Sequence, residues 1–382
     1  MHQIDFDEQS LHGLASKTVI VTGGAGGIGS ATARIFNEHG ANVVIADVPA
    51  SQPLAEKLVA SLPHPSRAMY VPVDIVDWEQ MQDLFKWAVK RFGSIDTVVA
   101  NAGIMESKSV LELDEIDEKG ELMESKEAFE VIDVNVKGTF NTLRLAMHYM
   151  KSLPGTSEPK SIIMVSSIAG YCGGADLTAY TTSKHAIIGL LRDAHKAATK
   201  NNIRLTAIAP SLTPSRLTAA LCEPWKEAGY ETSTPQAMGE AIAQCSVDKS
   251  ILGGSCILVA HKLRRELELT RAGLMGQWMG DDALGLVTGD FEMVSTTFPL
   301  PGVTHGKRIL ASVIESCTQD GPDTKPWISL PVNNDDLSAG FRDISFWQLN
   351  NATNHAARWL SQALPATTEP FQCFAYSGPK DL

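Results

Sequence analysis

The chain has 382 residues, of which 44% are hydrophobic and 20% are charged. This composition is typical of a globular protein with a large apolar core, and it excludes a fibrous or disordered chain. The formal net charge of −12 at pH 7 makes nucleic acid and anionic membrane surfaces poor partners. Ten acids and three lysines lie between Met105 and Glu130, a segment that we interpret as a solvated insertion or helix face.

The six cysteines are scattered, without a CxxC pair or a metal-binding spacing. They are expected to be reduced thiols, and no metal site is predicted. The N-terminal stretch MHQIDFDEQSLHG has no signal-peptide pattern, and no apolar run reaches the roughly 18 residues of a membrane span. We therefore expect a cytoplasmic protein that neither crosses nor binds a membrane.

Apolar strand-like runs alternate with amphipathic helix-like stretches from the N-terminus to about His261. The strand-like runs are TVIVTG, NVVIAD, AMYVPVD, DTVVANAG, SIIMVSS, IRLTAIAP and SCILVAH. Strands that are apolar on both faces and alternate with helices predict an α/β fold with a doubly wound, parallel, seven-stranded Rossmann sheet. We expect one folded domain over residues 1–289 and a small irregular extension over residues 290–382.

The first predicted strand runs into a glycine-rich turn and then a helix. Gly23, Gly27 and Gly29 fit the spacing T-G-x-x-x-G-x-G. Free backbone N–H groups and the positive end of the helix dipole make such a turn a pyrophosphate site. Asp47 ends the next strand, where an acid binds the ribose hydroxyls of NAD. Because no Arg or Lys occupies the glycine turn or directly follows Asp47, where Val48 stands, the sequence favours NAD over NADP.

Further motifs follow in a fixed order. NAG ends the fourth strand, DVNVKG carries Asn135, SIIMVSS ends in Ser166 and Ser167, and YTTSK runs from Tyr180 to Lys184. With the glycine turn, these motifs resemble the classical short-chain dehydrogenase/reductase family, including its fungal secondary-metabolism and hydroxyprostaglandin-dehydrogenase branches, over about residues 14–260. The resemblance selects Ser167, rather than Ser166, as the catalytic serine.

The resemblance implies an oxidoreductase that uses NAD on a CH–OH group. Tyr180 would be the acid/base, Lys184 would lower its pKa and bind the ribose, Ser167 would orient the substrate oxygen, and Asn135 would serve a proton relay. Tyr180 and Lys184 are four residues apart, so they share one helix face. A phenol with an ordinary pKa of ~10 needs a neighbouring positive charge to work at neutral pH.

The same resemblance implies the residues that contact the cofactor. They are Thr22, Gly23, Gly27, Ile28, Gly29, Asp47, Asp74, Ile75, Asn101, Ala102, Gly103, Tyr180, Lys184, Pro210, Thr213 and Ser215. One departure is that the family has Pro-Gly after the sixth strand, whereas this chain has Pro210 and Ser211. The missing glycine puts the contacts by Thr213 and Ser215 in question.

The segment after Pro210 corresponds to the family's substrate lid. Leu217, Leu221, Trp225 and Tyr230 are spread through it, which predicts a hydrophobic small-molecule secondary alcohol or ketone. Ordinary helix packing explains the same residues equally well.

Dimers and tetramers are common in the family, so a homo-oligomer is expected from the resemblance alone. His185 is interpreted as a packing or surface residue.

The region from about Pro299 to Leu382 resembles the opening of the adenylation domain in fungal synthetase-like and aminoadipate-reductase-like enzymes. A predicted amphipathic helix, Asn350 to Leu360, precedes the short strand candidate FQCFAY. None of the AMP-binding loops of that domain follow. Two alternatives to a dehydrogenase therefore stay open, a non-catalytic NAD-binding regulatory protein and a fragment of an adenylate-forming assembly-line enzyme.

Overall fold

A computed structural model describes residues 3–151, 158–174, 176–280, 328–331 and 341–344. The chain folds as two units, Met1–Gly289 and Asp290–Leu382. In the second unit, Ile328–Pro331 and Phe341–Ile344 form an antiparallel pair of strands. The helix and strand predicted from Asn350 onward lie outside the described residues.

The first unit contains one sheet of eight strands in the order β3-β2-β1-β4-β5-β6-β7-β8. Neighbouring strands from β3 to β7 are parallel, which confirms the predicted doubly wound sheet. The strands are β1 Thr18–Thr22, β2 Asn42–Asp47, β3 Ala68–Pro72, β4 Thr97–Ala100, β5 Lys160–Val165, β6 Ile203–Pro210, β7 Cys256–Ala260 and β8 Leu263–Glu266.

Helices cover both faces of this sheet and bury its apolar strands. They are α1 Gly27–Glu38, α2 Gln52–Ser61, α3 Trp78–Phe92, α4 Lys126–Ile132, α5 Gly138–Met150, α6 Thr178–Lys200, α7 Ala219–Glu227, α8 Pro235–Val247 and α9 Glu268–Met279. A π-helical turn, Asp133–Lys137, joins α4 to α5. Two buried apolar clusters lie on the two faces, one containing Phe85 and Leu191 and the other Phe36 and Ile242.

The eighth strand, β8, was not predicted from the sequence. It runs antiparallel to β7, and its sequence LRRE has only one apolar residue. An antiparallel strand next to its partner needs no crossover helix, and the two buried positions of β8 are the charged Arg264 and Glu266, so the strand lacks the continuous apolar run of the others. The N-terminal segment lies along its outer edge, where the Ile4 N–H donates to the Arg264 carbonyl at 3.1 Å.

The strand order reverses between β1 and β4. In an open α/β sheet, the crevice beyond the carboxyl ends of the strands at such a switch point is the usual ligand site. The glycine turn after β1 and the NAG motif after β4 meet at this point. The fold therefore brings together the motifs that the sequence spreads over more than eighty residues.

Candidate active site

The glycine turn after β1 is packed too tightly for side chains at two of its three motif positions. A Cβ on Gly29 would lie 2.1 Å from the Gly23 carbonyl oxygen, and a Cβ on Gly23 would lie 2.7 Å from the Ala102 Cα. Gly23 and Gly27 also have positive φ angles of 61° and 53°, which glycine adopts without strain. Gly26 precedes α1 and provides no side-chain cap, so the first N–H groups of α1 remain available to a ligand.

Asp47 lies at the end of β2, beside this turn. Its carboxylate accepts hydrogen bonds from the backbone N–H of Ala25 and of Val48, both at 2.9 Å. The acid that the sequence assigns to the ribose is thus held against the glycine turn. Its neighbour Val48 is 44% exposed.

Thr22 ties the ends of β1 and β4 together. Its hydroxyl accepts hydrogen bonds from the backbone N–H of Asn101 at 3.1 Å and of Ala102 at 3.2 Å. The Asn101 amide in turn donates to the carbonyls of Thr22 and Gly23 at 2.9 and 3.1 Å. These bonds fix the floor of the crevice before any ligand enters it.

Asn135 is fully buried in the π-helical turn between α4 and α5. Its side chain accepts from the Ile104 N–H and donates to the Ile104 carbonyl, both at 2.8 Å, and it also donates to the Ser183 hydroxyl at 2.9 Å. A Cβ on Gly103 would lie 3.0 Å from Asn135 Oδ1 and 3.6 Å from Lys184 Nζ. Asn135 therefore connects the loop after β4 with helix α6.

Ser167 follows β5 and caps a short 3₁₀ turn, accepting the Ala169 N–H at 3.1 Å. Tyr180 lies in the first turn of α6. Burial raises the pKa of its phenol, hydrogen bonding with the Ser167 side chain lowers it, and the negative charge of Glu106 raises it. The net increase is opposite to the decrease expected from Lys184, because burial penalises the phenolate more than its neighbours favour it.

Lys184 lies one turn after Tyr180 and is 5% exposed. Its ammonium group donates to the Val165 carbonyl at 3.0 Å and lies 5.4 Å from the centroid of the Tyr180 ring. Burial lowers the pKa of Lys184 to about 8. His185 is exposed, and its Nδ1 pairs with the Thr181 carbonyl of its own helix at 3.0 Å.

Three further residues that the sequence predicts to contact the cofactor differ in burial. Asp74 is exposed, and its carboxylate accepts the Val76 N–H at 2.9 Å. Ile75 is buried against the N-terminal end of α5. A Cβ on Gly138, the first residue of that helix, would lie 2.4 Å from the Cδ1 atom of Ile75. Ile28 is half-buried in the first turn of α1.

The loop after β6 contains Ser211 at the position where the family has glycine. Four described non-glycine residues have a positive φ angle, and Ser211 is not one of them. A serine at this position therefore causes no backbone strain. The Thr218 hydroxyl holds the loop, since it donates to the Thr213 carbonyl at 2.6 Å and accepts the Ser215 backbone N–H at 3.0 Å. A Cβ on Gly27 would lie 3.2 Å from Ser215 Cβ, so this loop does reach the glycine turn.

The predicted lid is partly helical and poorly buried. Helix α7 has no buried residue. Trp225 and Tyr230 are 37% and 60% exposed, and their ring centroids are 5.2 Å apart. Large apolar surface is therefore available on this segment.

Glu106 is a site residue that sequence reasoning missed. It is 3% exposed, and its two carboxylate oxygens accept the backbone N–H groups of Ala179 and Tyr180 at 2.8 and 2.9 Å. It lies three residues beyond the NAG motif, at the start of the acidic segment that we interpreted as solvated. The only available signal in the sequence was its position three residues after the NAG motif.

Within the described parts of the chain, no group of three or more His, Cys, Asp or Glu side chains could hold a metal ion. The same residues include no helix that is long and apolar enough to cross a bilayer.

A family model described as short chain dehydrogenase matches residues 17–224. Short-chain dehydrogenase reductase 5 of Arabidopsis thaliana is 34% identical over 207 residues, which cover 54% of this chain and 74% of that protein. Short-chain dehydrogenase/reductase ascJ of Acremonium egyptiacum is 33% identical over 275 residues, which cover 70% and 86%.

The solved structure of a 3-ketoacyl-(acyl-carrier-protein) reductase from Brucella melitensis, complexed with NADH, is similar in fold. It superposes with a TM-score of 0.57 at 23% identity and covers 65% of this chain and 98% of its own. The family match, the parallel sheet and the motifs at its switch point agree. The chain belongs to the short-chain dehydrogenase/reductase family of oxidoreductases, which use a nicotinamide cofactor on small-molecule substrates.

Proposed function

We propose that this protein is an NAD-dependent dehydrogenase that interconverts a secondary alcohol and a ketone on a hydrophobic small molecule. The observation that carries the proposal is that Ser167, Tyr180 and Lys184 converge beside the NAG loop at the switch point of the sheet. A protein that only binds the cofactor does not need a tyrosine that is hydrogen-bonded to a serine and lies next to a buried lysine.

The turn after β1 suits a dinucleotide. Its glycines allow a close-packed turn in which side chains would collide with the backbone, and the uncapped start of α1 offers N–H donors to a pyrophosphate. Asp47, already a hydrogen-bond acceptor beside the turn, would accept the ribose hydroxyls. A ribose carrying a 2′-phosphate would instead bring two negative charges together, so we assign NAD rather than NADP.

NAD held by the glycine turn and Asp47 would supply the acceptor for the hydride of the carbinol carbon. Tyr180 removes the hydroxyl proton of the alcohol as general base, and it returns a proton in the reverse direction. Lys184 stabilises the phenolate through its positive charge and would also bind the ribose of the nicotinamide. The Tyr180 phenolate would also be favoured by the positive charge of a bound oxidised nicotinamide.

Ser167 would hydrogen-bond the substrate oxygen and hold it within reach of the Tyr180 hydroxyl. Asn135, whose amide is committed to Ile104 and Ser183, would serve the proton relay by shaping the π-helical turn. π turns of this kind are frequent at functional sites.

The hydrophobic substrate class rests on the lid. Trp225 and Tyr230 present exposed aromatic surface on the segment that follows the loop of Thr213 and Ser215. Aromatic and aliphatic side chains dominate the walls of small-molecule sites. The chemistry fits a secondary metabolite or a steroid- or fatty-acid-like alcohol.

The test is a direct assay of the full chain. The protein is mixed with NAD and a panel of hydrophobic and polar secondary alcohols, and NADH formation is followed by absorbance. We expect turnover with the hydrophobic alcohols and none with Tyr180→Phe. NAD binding without turnover of any alcohol, or of any ketone with NADH, would favour a regulatory NAD-binding protein instead.

A further inference from the structure

Glu106 differs from the other acids of its segment in being buried and hydrogen-bonded at both oxygens. Its neighbours in sequence from Ser107 onward are largely exposed. Its carboxylate reaches the backbone N–H groups of Ala179 and Tyr180, which are 73 and 74 residues away in sequence. A buried carboxylate with two charge-assisted hydrogen bonds stays fixed in position.

These bonds supply the N-terminal cap of helix α6. The residue at the cap position is Leu177, which has no side-chain acceptor. The first N–H groups of a helix have no partner within the helix and must be satisfied from outside. Here the cap comes from the loop after β4, and one of the two capped N–H groups belongs to Tyr180 itself.

The same loop is anchored a second time close by. Ile104 pairs through both its N–H and its carbonyl with the buried Asn135, two residues before Glu106. The loop between the cofactor crevice and the tyrosine helix is thereby held at both ends. A shift of this loop would move the backbone that carries the Tyr180 ring.

We propose that Glu106 is a positioning residue that caps helix α6 at Tyr180, fixes the placement of the phenol and keeps a negative charge beside it. The proposal rests on the acid/base role of Tyr180 stated above. It assigns a function to a residue outside the Asn-Ser-Tyr-Lys set.

The charge predicts an effect on ionisation. Among the described residues, the charged groups that face Tyr180 are Glu106, from the loop after β4, and Lys184, from its own helix. The loop after β5 contributes the uncharged Ser167, and the π turn packed beneath α6 presents the uncharged Asn135. Glu106 raises the pKa of Tyr180, so its removal should let the phenol ionise at lower pH.

Two substitutions separate position from charge. Glu106→Gln removes the charge, and its amide N–H₂ group faces one of the two backbone N–H donors, so one hydrogen bond is lost. Glu106→Asp keeps the charge but is one methylene too short to reach both N–H groups. Both should lower kcat by roughly ten- to a hundredfold. Only Glu106→Gln should shift the acidic limb of the pH profile of alcohol oxidation, and the shift should be toward lower pH.

Glu266 offers a matched control. It is also 3% exposed, and its carboxylate caps helix α9 by accepting the N–H groups of Glu268 at 2.9 Å and Leu269 at 2.8 Å. Glu266→Gln removes the same type of cap from a helix that carries no proposed catalytic residue. Its pH profile should match that of the unmodified protein.

A readout independent of turnover uses tyrosine labelled with ¹³C at Cζ. The Tyr180 resonance is identified as the one missing in Tyr180→Phe, and its shift is followed from neutral to alkaline pH. It should begin to titrate at lower pH in Glu106→Gln than in the unmodified protein or in Glu106→Asp. An unchanged titration in Glu106→Gln overturns the proposal, even if the protein turns over no alcohol.

If Glu106→Gln does not fold, Glu106→Asp decides the positioning role. Hydrogen exchange at the amides of Ala179 and Tyr180 should be faster in Glu106→Asp, while exchange in the later turns of α6 stays the same. Unchanged exchange at these two amides, together with unchanged kcat, overturns the proposal. Failure of the dehydrogenase assay for the unmodified protein would count only against the proposed function.

Discussion

Lys184 Nζ lies 5.4 Å from the centroid of the Tyr180 ring and donates to the Val165 carbonyl at 3.0 Å. No carboxylate of the described residues forms an ion pair with this buried ammonium group. An uncompensated buried charge is costly, and such perturbed groups concentrate at functional sites. The positive charge next to the Tyr180 ring is therefore the Lys184 ammonium group, which no carboxylate in the described parts of the chain neutralises.

The first prediction is that Tyr180→Phe abolishes alcohol oxidation while NAD binding changes little. The phenol would carry the proton, whereas the glycine turn, Asp47 and Lys184 would hold the cofactor. Turnover and NAD affinity are measured on the same preparation. Tyr149→Phe is the control, because the Tyr149 ring stacks on Phe85 in the core at 5.4 Å. Comparable activity in Tyr180→Phe would remove the catalytic assignment.

The second prediction concerns the stability cost of Lys184. Its pKa of about 8 in the folded protein lies below the ordinary 10.5, so folding is penalised wherever the lysine is charged in both states. The penalty, about 3 kcal/mol, is complete below about pH 8, decreases as pH rises and is absent above about pH 10.5.

Lys184→Met should therefore raise the free energy of unfolding at neutral pH, by about 2 kcal/mol after the unpaired Val165 carbonyl is counted. The difference from the unmodified protein should decrease between about pH 8 and pH 10.5. Denaturant unfolding at several pH values measures it. The variant should lose activity and bind NAD more weakly. A variant less stable than the unmodified protein at every pH would contradict the buried-charge argument.

Much of this site could be predicted because its chemistry follows local patterns. The Gly23–Gly29 turn lies between a β-branched run and a helix, and the four-residue spacing of Tyr180 and Lys184 puts them on one helix face. Apolar strands that alternate with helices predicted the parallel sheet, which the structure confirms. In each case the signal lies within a few residues of the feature.

Glu106 and β8 could not be predicted, because the role of each depends on contacts that the local sequence does not reveal. The role of Glu106 depends on a contact with Ala179 and Tyr180 that is remote in sequence, and its local context is an acidic exposed segment. Strand β8 is a short, charged edge strand defined by its pairing with β7. The pKa of Tyr180 was expected in the wrong direction because burial can be known only from the packed structure.

The third prediction concerns cofactor choice. NAD should exceed NADP in kcat/KM by at least about a hundredfold, because a 2′-phosphate would face the Asp47 carboxylate. Asp47→Ser should shrink this ratio. Adding Val48→Arg should reverse it, since position 48 is exposed and can direct a guanidinium toward the phosphate. Equal kcat/KM for the two cofactors in the unmodified protein would contradict the role of Asp47.

The fourth prediction uses two glycines of the same turn. Gly29→Ala would place a methyl group 2.1 Å from the Gly23 carbonyl, whereas Gly26→Ala meets no atom within 4 Å. Neither position has a positive φ, so the difference is steric. Thermal unfolding without cofactor should show a Tm several degrees lower for Gly29→Ala, about 1–3 kcal/mol of destabilisation, and almost no change for Gly26→Ala. Equal Tm values would mean that the turn relaxes easily.

The fifth prediction is that residues from about Pro299 onward contribute neither to the NAD site nor to adenylation. All residues assigned to the cofactor and to catalysis precede residue 216, and the sheet is complete at Glu266. Helix α9 is different, because its Glu268 forms ion pairs with Arg192 at 2.9 Å and Arg271 at 3.0 Å and accepts the Tyr171 hydroxyl at 2.8 Å. Tyr171 follows the 3₁₀ turn that Ser167 caps.

A chain that ends at Gly289 should keep NAD binding and any dehydrogenase activity, as measured by titration and by the NADH assay. A chain that ends at Leu267 is the control. It lacks Glu268, leaves the Arg192 guanidinium and the Tyr171 hydroxyl without their partner, and should be less stable. Loss of NAD binding in a folded chain ending at Gly289 would make the C-terminal region part of the site. If the full chain exchanges pyrophosphate into ATP with any acid substrate, the prediction that these residues do not contribute to adenylation is wrong.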